Sequence, residues 1–130
     1  MMKRKISTLS LTSVIIAGLA MFLAYSCEKE NEPIILGIAA GYGHSMALRS
    51  DGSIWVWGNN NSNQLGDGMS DNRTTPFRLG TGYSNLAAGG AHSFGIKPDG
   101  SLWAWGSNQE GQLGDDTYEN KSVAGEKNEL

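Results

Sequence analysis

The sequence predicts an all-β fold: two tandem sheet modules behind an N-terminal signal helix. Three observations carry this reading. The first is an ungapped internal repeat. His44 is matched by His92, and Trp55 and Trp57 by Trp103 and Trp105, each pair 48 residues apart. Of the 35 aligned pairs from Ile38/Leu86 to Asn72/Asn120, 17 are identical, and self-similarity at such a period marks a repeat architecture. The second is an Asp-Gly pair between two short apolar-rich runs in each copy, which signals a hairpin. The third is that no stretch beyond the leader carries the 3.6-residue period of a helix.

Composition fits this picture and excludes others. The chain has 130 residues with 18 Gly, 4 Trp and a single Cys, enough for one ordinary domain. Gly stands at about twice its usual share of roughly 7%, and Pro is scarce, which excludes collagen and Pro-rich disorder. A lone Cys excludes an internal disulfide framework. The net charge of −3 argues against nucleic acid as a partner, since phosphate binding needs a cationic surface.

Residues 1–26 read as an address. Lys3, Arg4 and Lys5 form a positive start, and residues 6–23 are mostly apolar. The run Leu23-Ala24-Tyr25-Ser26-Cys27 resembles a bacterial lipobox, with Ala24 and Tyr25 as departures. That resemblance implies lipidation of Cys27, hence a membrane anchor at the outer membrane or cell surface, since several acyl chains give a durable hold. An uncleaved transmembrane helix and a plain cleaved signal are the alternatives. Residues 27–34 form a charged tether. Cleavage before Cys27 removes Lys3, Arg4 and Lys5 and no acid, taking the net charge from −3 to −6.

The repeats follow over residues 35–125, divided at about 38–85 and 86–125. In the first copy, residues 45–49 and 54–57 read as strands, joined through Asp51-Gly52; Asp99-Gly100 does the same in the second. Gly takes positive φ there without a Cβ clash. Gly58 and Gly106 end the Trp strands, and polar loops follow. Residues 75–79 read as an outer strand, with Pro76 at its start, where a missing N–H is tolerated. Matching decays after Asn120, and residues 126–130 read as a polar tail.

Gly-x-x-His-Ser followed by Asp-Gly-Ser-x-Trp-x-Trp-Gly-x-Asn-x-x-x-Gln-Leu-Gly-Asp resembles the regulator-of-chromosome-condensation repeat. The resemblance implies a β-propeller with blades of four strands, here a partial one of about two blades. Propellers close with roughly 4–8 blades. Two blades leave two apolar faces and two edges open. The chain therefore reads as a short or truncated member, with ring completion by further copies or docking on a partner as the alternatives.

The repeated residues are weighed as fold or function. His44 and His92 take the same place in both copies without the partners a catalytic set needs, which favours a fold role. Asp51, Gly52, Asp99 and Gly100 are turn formers; Gln64, Gly66, Gln112 and Gly114 belong to the loop motif. Trp55, Trp57, Trp103 and Trp105 are spaced by two, so each pair shares a face. Blade-to-blade packing is the favoured role, an aromatic platform the alternative. No metal, cofactor or catalytic residue is assigned. Asn59, Asn61 and Asn63, with Ser107, Gln109 and Glu110, are candidate partner-binding positions, because loops on a rigid scaffold carry function. The functional expectation is a non-enzymatic, lipid-anchored envelope module that binds a protein partner. A glycan-binding module, or an enzyme inhibitor like the family's β-lactamase-inhibiting propellers, is the alternative.

Overall fold

A computed structural model describes residues 31–127; Cys27, the expected signal helix and residues 128–130 lie outside them. Eight strands follow one another: β1 (Ile35–Ala40), β2 (His44–Arg49), β3 (Ile54–Gly58), β4 (Arg73–Gly80), β5 (Asn85–Ala88), β6 (His92–Ile96), β7 (Leu102–Gly106) and β8 (Lys121–Lys127). They form two antiparallel four-stranded sheets, ordered β1-β2-β3-β4 and β5-β6-β7-β8. Each sheet is a simple meander, which suits short connections.

The Asp-Gly hairpins form as expected. Gly52 N–H donates to the Arg49 carbonyl at 2.9 Å and Arg49 N–H to the Ser53 carbonyl at 2.9 Å. Gly52 stands at φ 75° and Gly100 at φ 87°, so a type I turn closes through a left-handed glycine. The rest of the motif is wired to this turn. Asp51 Oδ1 accepts from Ser53 N at 3.0 Å and Ser53 Oγ at 2.6 Å, and Ser53 Oγ accepts from Trp55 Nε1 at 3.0 Å. In the second copy Asp99 accepts from Ser101 N at 2.9 Å, and Trp103 Nε1 donates to Ser101 Oγ at 3.1 Å. Bonds from Ser53 to Asp51, and from Ser101 to Asp99, hold both carboxyls below the ordinary carboxylate range.

Two segments differ from expectation. Glu126 and Lys127, expected in the tail, continue β8, paired with Trp103 and Leu102 of β7. Backbone pairing suffices for an edge strand whose side chains are mostly polar. Gly68 N–H also donates to the Ser122 carbonyl at 2.8 Å, tying β8 to the first sheet. In addition, β1 and β5 each form one edge of their sheet, and β5 packs on β1 and β2.

Strand alternation gives each sheet two unlike faces. In the first sheet His44, Met46, Leu48, Ile54 and Val56 share one face, and Ser45, Ala47, Trp55 and Trp57 the other. In the second, His92, Phe94, Ile96, Leu102 and Ala104 oppose Ser93, Gly95, Trp103 and Trp105. The His face of the first sheet packs on the Trp face of the second. Met46, Leu48, Ile54, Val56 and Leu65 pack there with Tyr83 and Trp105, and Leu86, Ala88, Trp103 and Ala124 lie against them. The main core is thus the seam between sheets.

Candidate interaction surfaces

The seam holds a buried polar chain. His44 Nε2 lies 2.9 Å from Ser93 Oγ, Ser93 Oγ donates to the Gln64 carbonyl at 2.8 Å, and Trp105 Nε1 donates to the same carbonyl at 3.0 Å. A His–Ser pair at this distance invites a nucleophile–base reading, but the proton count opposes it. The single Ser93 proton goes to Gln64, so His44 must donate to Ser93 from a protonated Nε2. His44 is 2% exposed and Ser93 0%, so solvent does not reach the pair. The contact from His44 to Ser93 joins the two sheets. His92 stands on the outward face of the second sheet, edge-on to Phe94 with centroids 5.4 Å apart.

Burial, with His92 nearby, holds the His44 pKa below its ordinary value, and burial alone lowers that of His92. The unfolded chain therefore takes up protons first, near pH 6.5. Their contribution to stability is complete above about pH 6.5 and is lost as pH falls through the lower folded values. Thermal unfolding should give a flat Tm above about pH 7 and a decline that sets in as the pH falls below about 6.5. Replacing His44 by Gln should shrink that decline; an unchanged decline in the variant would contradict the assignment.

The loops after β3 and β7 are built around one buried asparagine each. Asn60 is 0% exposed. Its Nδ2 donates to Asp67 Oδ1 at 3.1 Å and the Met69 carbonyl at 2.9 Å, and its Oδ1 accepts from Leu65 N at 2.9 Å. Asn108 repeats this with Asp115 at 2.8 Å, the Thr117 carbonyl at 2.9 Å and Leu113 N at 2.9 Å. Burial works against the charge of Asp67, but bonds from Arg73 at 2.6 Å, Met69 and Asn60 outweigh it and keep its pKa low. The Thr117 hydroxyl does most to keep Asp115 well below the ordinary range. Asn60→Ala strips these bonds from a buried site and should lower stability by about 2 kcal/mol, read by urea denaturation.

Several loop positions expected to meet a partner serve the turn. Asn59 Oδ1 accepts from Asn61 N at 2.8 Å and Gln64 Nε2 at 3.0 Å. Gln64 Oε1 accepts from Ser62 N at 2.8 Å, as Gln112 Oε1 does from Glu110 N at 2.9 Å. Gln112 Nε2 donates to Ser107 Oγ at 3.3 Å. Asn63 and its counterpart Gly111 answer one backbone demand: φ is 62° at Asn63 and 72° at Gly111. Asn is among the few other residues that tolerate this region. Asn61, Gln109 and Glu110 are the exposed members of the set.

Three large side chains outside the expected set share this end with them. Tyr42 is 98% exposed, Tyr118 75% and Met69 60%. Residues 41–43, 59–72, 89–91 and 107–120 all connect strands at the end marked by His44, Gly58, His92 and Gly106. Asn59 N–H donates to the Gly43 carbonyl at 2.7 Å, Ser107 N–H to Ala91 at 2.8 Å, and Tyr42 N–H to Gly90 at 2.9 Å, which gathers these loops. The repeat holds a signal for them: Tyr42 aligns with Gly90, Met69 with Thr117 and Tyr118 with Ser70. One copy departs toward a large apolar residue at each position.

The sequence profile of the regulator of chromosome condensation (RCC1) repeat matches residues 35–64 and 83–112, and a second profile of that repeat matches residues 51–96. The chain belongs to the RCC1 repeat family. Solved structures agree on the fold. Prp20p of Saccharomyces cerevisiae, in a structure described with its binding to Gsp1p and histones, superposes with a TM-score of 0.68 at 22% identity, over 74% of this chain and 26% of that one. Yeast RCC1 (Prp20) bound by Kap60 gives 0.67 at 23% identity, over 74% and 25%. Human WBSCR16 gives 0.67 at 23% identity, over 76% and 27%. This RCC1-repeat chain thus spans about a quarter of the length of these structures. Its two sheets are two blades of a partial β-propeller.

Proposed function

We propose that this RCC1-repeat chain is a lipid-anchored, non-catalytic module of the bacterial cell envelope that holds a protein partner at its loop end. One observation carries the binding surface: Tyr42, Met69 and Tyr118 are large exposed side chains at that end, on loops where Asn59, Asn60, Gln64, Asn108 and Gln112 are committed to the turns. Exposed aromatics and methionine with a polar surround are what protein interfaces select. The non-catalytic reading is supported by the tie of His44 and Ser93 into the seam. Anchoring is supported by Cys27 behind its apolar leader, and the acidic balance of the mature chain favours a protein over nucleic acid or anionic lipid. That Prp20p is described with protein partners fits a binding role for two blades of the same fold.

The test has two arms. The full chain expressed in a Gram-negative host should take up labelled palmitate, and Cys27→Ser should abolish the label. Cross-linking in intact envelopes should give a protein adduct that is lost when Tyr42, Met69 and Tyr118 are all changed to Ser. An unlabelled wild-type chain removes the anchor, and equal adducts from both forms remove the loop-end site.

A further inference from the structure

Each blade packs head to tail: the His face of the first receives the Trp face of the second. The outer faces that remain are the Trp face of the first blade and the His face of the second. They are therefore one more copy of the same mating pair. We propose that the Trp face of one chain seats on the His face of a second copy, so that identical chains assemble head to tail into a ring.

The correspondence holds position by position across the 48-residue offset. Ile38 is 77% exposed, while its counterpart Leu86 packs against the seam core. Ile96 is 37% exposed, while its counterpart Leu48 is 5% exposed in the seam. Trp105, fully buried, has Trp57 as counterpart on a groove of about 320 Å³ that also includes Ile35, Ala47, Trp55 and Pro76. On the other outer face, Ala87, Phe94, Ile96 and Leu102 line a groove of about 280 Å³.

Two details go beyond shared hydrophobicity. A Cβ on Gly66 would lie 2.5 Å from the Trp105 ring, because the ring lies on that glycine. Gly114, its counterpart, has nothing within 4 Å, an open seat of the shape that Trp105 fills inside the chain. The Trp face is also adjusted as a unit. In the seam, Tyr83 crowds Gly95, with ring atoms 2.7 Å from where a Cβ would stand. On the outer face the same two positions are Ile35 and Ala47, a smaller residue beside a larger one, so volume is kept. The polar chain repeats as well: Ser45 and Trp57 of the incoming copy would donate to the Gln112 carbonyl, and His92 to Ser45.

An interface between unlike faces grows in one direction and stops only when the rotation closes. Closure at roughly 4–8 blades means about two to four copies of this chain. The experiment compares the full chain with Ile38→Glu and Ile96→Glu, one charge on each outer face, at positions exposed enough to leave the fold intact. Masses are read by light scattering in mild detergent, with far-UV circular dichroism to verify folding. The wild type should run as one discrete oligomer and each variant as a monomer. Because each variant keeps one good face, an equimolar mixture should give a 1:1 pair that grows no further. A monomeric wild type, a variant with wild-type mass, or a mixture that stays monomeric would each overturn the proposal; oligomers held by the apolar leader would reveal themselves by the second outcome. The partner adduct at Tyr42, Met69 and Tyr118 is scored separately, so either reading can fail alone.

Discussion

Trp105→Ala should lower the free energy of unfolding by about 3–5 kcal/mol, the largest effect of any single substitution considered. The indole is fully buried in the seam and its Nε1 donates to the Gln64 carbonyl at 3.0 Å. Its removal opens a cavity between blades, and Gln64 keeps Ser93 as donor. A buried tryptophan hides roughly 150–250 Å² of surface, which sets the scale. Trp57→Ala deletes the same side chain from the outer face, where it is half-buried, and should destabilise a single chain by about 1–2 kcal/mol. Urea denaturation of both variants in the Ile96→Glu background, which keeps the chain monomeric, checks the contrast. Equal losses would mean that the seam is not where the stability resides.

Gly66→Ala should be nearly as damaging, at about 3 kcal/mol. The residue sits at φ 71°, where an L side chain costs roughly 1–2 kcal/mol, and the new Cβ would lie 2.5 Å from Trp105 Cδ1. Overpacking of that kind adds roughly 1–3 kcal/mol. Gly114→Ala shares the backbone strain at φ 65° but, in the monomeric Ile96→Glu background, meets no atom within 4 Å, so about 1 kcal/mol is expected there. A double-mutant cycle separates the two contributions. In the Trp105→Ala background the crowding has no object, and Gly66→Ala should fall to the cost of strain alone. Additive losses would show that the glycine serves only its own turn.

How much of this was legible follows from what each feature needs. Trp-x-Trp after Asp-Gly announces β3 and β7, because alternation and a left-handed glycine are local demands. The repeat announces that whatever holds for one blade holds for the next. By contrast, β1 and β5 carry weak local signals: Asn85–Ala88 is four residues long and acquires strand geometry from its neighbour β6. The strand Lys121–Lys127 is held by backbone pairing to β7 and by Gly68, neither of which leaves a mark in side-chain type. The bond from His44 to Ser93 was illegible for another reason. The two residues lie in different copies of the same motif, and sequence shows His next to its own Ser45. Only the packing of unlike faces reveals that the useful serine belongs to the other blade. Among loop residues, the Asn63/Gly111 pair does not display its constraint in residue type, yet a shared positive φ limits the choice to a few types.

The head-to-tail seam makes the chain modular in a way that a two-fold contact would not. A third 48-residue unit spliced between the blades would meet the first through its Trp pair and the second through its histidine side. The one existing junction would be replaced by two equivalent ones, and the terminal faces would be unaltered. Lengthening by duplication therefore needs no compensating change elsewhere, and tandem splicing of this unit offers a direct route to engineered arrays of chosen size.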